Sequence, residues 1–155
     1  MNTLIIFFTY FPYSRQDKIF EKGETNAAEN LIRKLIRYYQ VKKIYIIDPH
    51  FGKRNWVKKY PIVSISAVPL LIKKSEQDFG KNILFLSPDK GGKRRTGITG
   101  ARKKRKNGSK INIYSLPENL KGKTVGIIDD MIGSGGTLLE FYKAVKKSKP
   151  KKIIA

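Results

Sequence analysis

Val125-Gly-Ile-Ile-Asp-Asp-Met-Ile-Gly-Ser-Gly-Gly-Thr137 constrains this chain more than any other stretch. Val125 to Ile128 reads as a short buried strand, and two carboxylates, Asp129 and Asp130, stand at its carboxyl end. A turn of Gly, Ser and Thr follows. Leu138, Leu139, Phe141, Tyr142 and Val145 then recur with a helical period, which predicts a helix over 137–147. Strand, acid pair, glycine turn and helix, in that order, is how an open parallel sheet binds ligands beyond its strand ends. The turn can aim successive backbone N–H groups at a phosphate, with the helix N-terminus behind it. Two carboxylates would repel that phosphate, so they suit neighbouring hydroxyls or a metal. The ligand implied is a sugar phosphate with its hydroxyls toward the acids. The plain alternative is a tight strand-to-helix turn with the acids as N-terminal caps.

The rest of the chain repeats the alternation. Strands are expected at 3–9, 43–47, 61–66, 82–86 and 123–128, and 152–155 opens another. A helix starts near Thr25 or Asn26, either of which can cap it, and Ala28, Leu31, Ile32, Leu35, Ile36 and Tyr39 form its apolar stripe. Residues 67–77 read as a second helix, with Pro69 in its first turn. Several strands end in polar turns: Tyr10 to Ser14, Asp48-Pro-His50, and Ser87-Pro-Asp89-Lys-Gly-Gly92. This pattern predicts an α/β protein with a parallel sheet, organised as parts of two halves, 1–66 and 67–155.

Length and composition bound the rest. A chain of 155 residues holds one domain or two small half-domains. Hydrophobic content of 40%, with 8 Phe and 8 Tyr, is that of a globular chain rather than a disordered one. The absence of Cys fits a reducing, cytoplasmic setting and excludes disulfide or thiolate–metal schemes. Leu4 to Phe8 is too short for a signal-peptide core, and no run approaches the length of a membrane span. The 33 basic residues against 12 acidic ones leave a net charge of +21. That balance fits a polyanionic partner, a nucleotide or nucleic acid, but it equally fits a lysine-rich surface, since lysines are scattered through every segment.

Four smaller constellations carry candidate chemistry. Arg15-Gln16-Asp17-Lys18 follows the first strand; Arg can fork onto a phosphate and Gln can read a purine edge or a ribose. A solvated loop is the bland alternative. His50, the single histidine, sits at a strand end beside Asp48. Asp89 lies in a turn with Pro at its second position. Residues 90–110 hold ten Lys or Arg, five Gly and no acid, with no apolar stripe, which predicts a mobile solvated loop and by itself is compatible with RNA binding.

The stretch at 125–137 resembles the 5-phosphoribosyl-1-diphosphate motif of phosphoribosyltransferases and ribose-phosphate pyrophosphokinases. The resemblance implies that Asp129 and Asp130 lie along the ribose hydroxyls and that Gly133, Ser134, Gly135, Gly136 and Thr137 hold the 5-phosphate. Gly133 and Ser134 depart from the usual residues, yet both keep the backbone cradle. Tyr10-Phe-Pro-Tyr-Ser-Arg-Gln-Asp-Lys18 is similar to the ATP loop of the pyrophosphokinases, which implies ATP binding by Arg15, Gln16 and Asp17. Asp48-Pro-His50 resembles their Asp-Leu-His, implying that His50 helps hold Mg²⁺-ATP. Ser87-Pro-Asp89-Lys-Gly-Gly92 resembles their Ser-Pro-Asp loop, implying that Asp89 contributes to the metal.

Lys103-Lys-Arg105 matches the Lys-x-Arg of their catalytic flexible loop, implying catalytic roles for Lys103 and Arg105 over the transferred phosphates. The activity implied is transfer of diphosphate from ATP to ribose 5-phosphate with Mg²⁺ as cofactor, giving 5-phosphoribosyl 1-diphosphate and AMP for nucleotide biosynthesis. Enzymes of that family are about twice as long. The resemblance therefore also implies absent strands in front and behind, and an absent helix and strand between Arg95 and Lys103. A homo-oligomer, or another polypeptide completing the fold, is the expected partner. A regulatory paralogue that assembles with an active enzyme is the alternative, and a basic RNA-binding protein the third.

Overall fold

The computed structural model describes residues 3–88, 93, 96–105, 112–116 and 119–155. The chain divides into two compact units, Met1–Ala67 and Val68–Ala155.

The first unit is a three-stranded parallel sheet in the order β1-β2-β3. Its strands are β1 (Ile5–Phe8), β2 (Lys43–Ile47) and β3 (Ile62–Ile65), with Ile6 opposite Ile44 and Ile44 opposite Ile62. Helix α1 (Ala27–Arg37) crosses over between β1 and β2. Asn26 caps it: its side-chain oxygen accepts from the Glu29 N–H at 3.0 Å, and its amide donates back to the Glu29 carboxylate at 3.1 Å. This reciprocal pair satisfies an orphan donor of the first turn. Lys34 and Arg37 in the last turn complement the helix dipole.

Ala28 and Ile32 are buried against Ile44 and Ile46, with Ile6 and Phe8 packed alongside. Tyr39, expected on the same stripe, is half exposed. The helix ends at Arg37, and the chain turns through Gln40 at a φ of +58°, which takes Tyr39 off the helical face. The basic connector before β3 contains a 3₁₀ helix, Asn55–Lys59, that delivers Trp56 to an aromatic cluster. Phe8 meets Phe11 edge-on at 4.9 Å, Phe11 meets Phe51 at 5.2 Å, and Phe51 meets Trp56 at 5.0 Å.

The second unit is a four-stranded parallel sheet in the order β5-β4-β8-β9, plus a two-stranded antiparallel hairpin. The sheet strands are β4 (Ile83–Ser87), β5 (Thr99–Gly100), β8 (Thr124–Ile127) and β9 (Lys152–Ile154). The hairpin pairs β6 (Arg102–Arg105) with β7 (Asn112–Ser115). Helix α2 (Val68–Phe79) precedes β4, with Pro69 in its first turn, where no backbone donor is needed. Helix α3 (Gly136–Lys147) joins β8 to β9, and its Phe141 and Val145 are buried with Val125, Ile127 and Leu86.

The expectation of one continuous loop over 90–110 is corrected at 99–105. Thr99 and Gly100 pair with Leu86 and Ser87, and the Ala101 N–H donates to the Ser87 carbonyl at 2.9 Å. An edge strand of small polar residues satisfies one side of β4 without any apolar alternation in its sequence. Strand β6 is four consecutive cations, so hydrophobic periodicity could not reveal it either. Among the described residues, no helix is long and apolar enough to cross a membrane.

Candidate functional site

In the second unit the candidate residues gather where β8 ends. Gly126 is required by packing: a Cβ there would lie 2.5 Å from Phe85 Cδ1 and 2.6 Å from its Cε1. The strand thus lies close over the Phe85 ring. The Ile128 N–H continues the ladder by donating to the Leu86 carbonyl at 2.9 Å. Asp129 and Asp130 follow at once, both partly exposed, and the Asp130 N–H donates to Asp129 Oδ1 at 3.0 Å. The first acid therefore stiffens the start of the turn.

Gly135 is the cap of α3 and takes a left-handed φ of +76°, a conformation open to glycine at little cost. No side chain caps that helix, and Gly133, Ser134, Gly136 and Thr137 are exposed. A turn of this kind presents backbone donors and the positive end of a twelve-residue helix to an anion. Ser87, at the adjacent end of β4, is fully buried, and its hydroxyl has no hydrogen-bond partner among the described residues. Asp89, the expected metal ligand two residues on, lies outside the described residues, as do 90–92, 94, 95 and 106–110 of the basic block. Lys103 and Arg105 have their backbones in β6, opposite Tyr114 and Asn112.

In the first unit the loop after β1 carries the second set. Tyr13 has a φ of +58°, and the Gln16 N–H closes a turn onto its carbonyl at 2.8 Å. Arg15 and Gln16 face solvent while Ser14 and Asp17 on either side are buried. Each buried residue is tied to the carboxyl side of β2. Ser14 Oγ accepts from the His50 N–H at 3.1 Å, which brings the Asp-Pro-His segment against the loop. Both carboxylate oxygens of Asp17 accept from Arg54, Nε at 2.6 Å and a terminal nitrogen at 3.1 Å. Trp56 Nε1 donates to the Asp17 carbonyl at 3.1 Å. The Asp17 hydrogen bond raises the Arg54 pKa above its ordinary value, against the lowering effect of partial burial.

Asp17 thus turns inward and holds the loop, while Arg15 and Gln16 are the residues it presents. Arg54 and Trp56 were not among the residues expected to matter. The sequence shows them as part of a basic connector, and nothing in it marks Asp17 as their partner.

Among the described residues, no three His, Asp or Glu side chains converge as a metal cage. The carboxylates of Asp129 and Asp130 beside the glycine turn are nonetheless donors of the type Mg²⁺ takes, since it completes its shell with phosphate oxygens and water.

The model of the family described as phosphoribosyl transferase domain matches residues 94–155. The ribose-phosphate pyrophosphokinase of Thermococcus kodakarensis is 29% identical over 93% of this chain and 54% of its own length. That of Marinomonas sp. (strain MWYL1) is 26% identical over 94% of this chain and 50% of its own. Among solved structures, phosphoribosylpyrophosphate synthetase from Mycobacterium smegmatis matches with a TM-score of 0.79 at 22% identity. That match covers 97% of this chain and 52% of the other, and it bears on the fold.

The parallel α/β sheets, with the acid pair and glycine turn at a strand end, have the fold of phosphoribosylpyrophosphate synthetase. With that fold, the chain is similar to the ribose-phosphate pyrophosphokinases over nearly all of its own residues. It spans about half the length of the curated relatives it matches.

Proposed function

We propose that the chain serves ribose-phosphate diphosphokinase chemistry: ATP and ribose 5-phosphate are converted to 5-phosphoribosyl 1-diphosphate and AMP. The second unit is read as the holder of ribose 5-phosphate, with Asp129 and Asp130 along the hydroxyls and Gly133 to Thr137 around the phosphate. The first unit is read as contributing Arg15, Gln16 and His50 to ATP. The 1-hydroxyl oxygen attacks the β-phosphorus of ATP, and the bond from that phosphorus to the bridging oxygen of AMP breaks. AMP leaves with the electron pair, and the hydroxyl proton passes to solvent. Little covalent help is needed; orientation and charge neutralisation supply most of the rate. Lys103 and Arg105 are assigned the neutralising role. Mg²⁺, when bound with the substrate phosphates and Asp89, would add further positive charge.

The observation that favours this over a phosphoribosyltransferase reading is the exposed Arg15–Gln16 pair on a pinned loop beside Ser14 and His50. The test is AMP release from ATP, Mg²⁺ and ribose 5-phosphate by the purified chain and by Lys103→Ala. Release that the variant loses supports the reading. Equal silence of both, with ribose 5-phosphate still bound, removes it for the chain alone.

A second reading, a non-catalytic paralogue that assembles with an active enzyme, draws on the first unit. Ile5, Phe7 and Ile65 share one face of its sheet and are 53%, 55% and 39% exposed, on a parallel sheet type that is ordinarily covered on both faces. Co-elution with an active synthetase, lost on Phe7→Lys, would favour it.

A further inference from the structure

We propose that the first unit carries a surface for single-stranded nucleic acid, at the end of its sheet remote from Arg15, Gln16 and His50. The Tyr38–Tyr39 ring pair stacks on bases, and the cations around it hold the phosphates. This goes beyond the diphosphokinase reading and does not depend on it.

Three segments meet where the strands of this unit begin. Helix α1 ends at Arg37, and the chain passes through Tyr38, Tyr39 and Gln40 into β2. The Val41 N–H donates to the Leu35 carbonyl at 3.2 Å and the Lys42 N–H to the Leu4 carbonyl at 2.9 Å, which sets Lys42 and Lys43 at the start of the sheet. The 3₁₀ helix Asn55–Lys59 brings Lys58 and Lys59 to the start of β3, beside β2, where the Ile44 N–H donates to the Pro61 carbonyl at 3.0 Å. Tyr60 fastens that segment to α1, its hydroxyl donating to Glu29 Oε1 at 2.9 Å. The loops holding Arg15, Gln16 and His50 lie at the carboxyl ends of β1 and β2, one strand length away, about 15 Å.

The charge here is more one-sided than in the chain as a whole. Between residues 30 and 67 stand nine Lys or Arg and one acid, Asp48, against 33 and 12 overall. Asp48 lies at the far end of β2, where its carboxylate accepts from the Ala67 N–H at 2.9 Å. Glu29 is already engaged by Asn26 and Tyr60. Lys34, Arg37, Lys42, Lys43, Lys58 and Lys59 are exposed, and among the described residues none of them makes an ion pair. Lys34 and Arg37 are also three residues apart on one helix, where like charges repel. A polyanion relieves that repulsion and is drawn to the field of the cluster.

The two rings select the kind of polyanion. Tyr38 is 75% exposed and Tyr39 50%, and they meet edge-on, with centroids 5.0 Å apart and planes at 77°. An edge-on pair this exposed leaves ring face open to solvent between the cations of α1 and those of β2. An unpaired base can stack there whatever its identity, because every base has a π-face. The bases of a duplex are already stacked on one another and cannot. Aromatic rings set among cations that follow a backbone are the parts of a single-strand site.

Fluorescence anisotropy with the full chain tests this between about 50 and 200 mM salt. The labelled probes are a single-stranded RNA oligomer, the DNA oligomer of the same sequence, the RNA duplex and inorganic polyphosphate; phosphatidylserine vesicles are tested by co-sedimentation. Three double variants are compared: Tyr38→Leu with Tyr39→Leu, Tyr38→Phe with Tyr39→Phe, and Arg37→Gln with Lys42→Gln. A fourth, Lys143→Gln with Lys147→Gln, removes the same charge from α3. The leucine pair should lose about tenfold or more on single strands of either sugar and nothing on polyphosphate, and the phenylalanine pair should keep wild-type binding. Arg37→Gln with Lys42→Gln should flatten the slope of log affinity against log salt by about 1.4, while the α3 pair leaves it unchanged. Equal flattening by both charge pairs overturns the surface, because net charge alone then accounts for binding. Equal losses of the leucine pair on polyphosphate and single strands overturn it too, because the rings then only support the helix end. A duplex held as tightly as the single strand, a preference for the vesicles, or no single-strand binding by the wild-type chain each overturns it outright.

Discussion

The Asp17 carboxylate receives two hydrogen bonds from the Arg54 guanidinium, 37 residues away in sequence, at 2.6 and 3.1 Å. The acid is 2% exposed and the arginine about a third exposed, so removing the cation leaves a charge in a site with little water to solvate it. Arg54→Ala should destabilise the chain by about 3 kcal/mol, and Arg54→Lys should fall between, because an ammonium cannot reproduce the two-pronged contact. Trp56, the single tryptophan, donates to the Asp17 carbonyl, so its fluorescence during urea unfolding reports on this cluster. The pair raises the Arg54 pKa, so its contribution is fully present below the ordinary guanidinium value and is lost only as pH rises through the raised one. Titration from neutral to about pH 10 should leave the contribution of the arginine intact.

Asn26→Ala removes the acceptor for the Glu29 N–H and the donor to the Glu29 carboxylate together. The cost should be about 1 kcal/mol. It should appear as a lower urea midpoint with an unchanged slope, since the surface exposed on unfolding stays the same.

Gly126→Ala should cost about 1–3 kcal/mol, because the new methyl meets the Phe85 ring edge well inside contact distance. Pairing it with Phe85→Leu should recover part of the loss. Thermal unfolding of the single and double variants measures the coupling. Additive losses would show that the ring is not what excludes the methyl.

Asp129→Asn should weaken ribose 5-phosphate binding about tenfold or more while leaving thermal stability nearly unchanged. The amide keeps an oxygen that can accept from the Asp130 N–H, so the turn survives and the loss falls on the ligand. Calorimetric titration with ribose 5-phosphate gives the affinity, and the melting temperature of the same sample gives the control. Unchanged affinity would remove the sugar-phosphate reading of this turn.

The sequence by itself determined the alternation of strands and helices, the capped start of α1 and the order of strand, acid pair, glycine turn and helix at 125–137. These are local patterns: side-chain periods of two and 3.6, a cap three residues from its partner, and a glycine where φ turns positive. The resemblance carried by the same residues extended that reading to ATP and ribose 5-phosphate.

Tertiary structure alone decided the rest. Thr99-Gly100 became a strand because an edge of β4 was there to pair with, although one β-branched residue beside a glycine is too short a signal to predict it. Tyr39 left its stripe because the helix ended before reaching it. Asp17, Arg54 and Trp56 came together from opposite ends of a crossover, and no spacing rule connects them. Asp17 sits in a polar motif that reads as ligand-binding, but burial beside a guanidinium turned its carboxylate inward and left Arg15 and Gln16 facing solvent. Contacts of that kind depend on where the sheet and helix carry each segment, which the local chain does not encode.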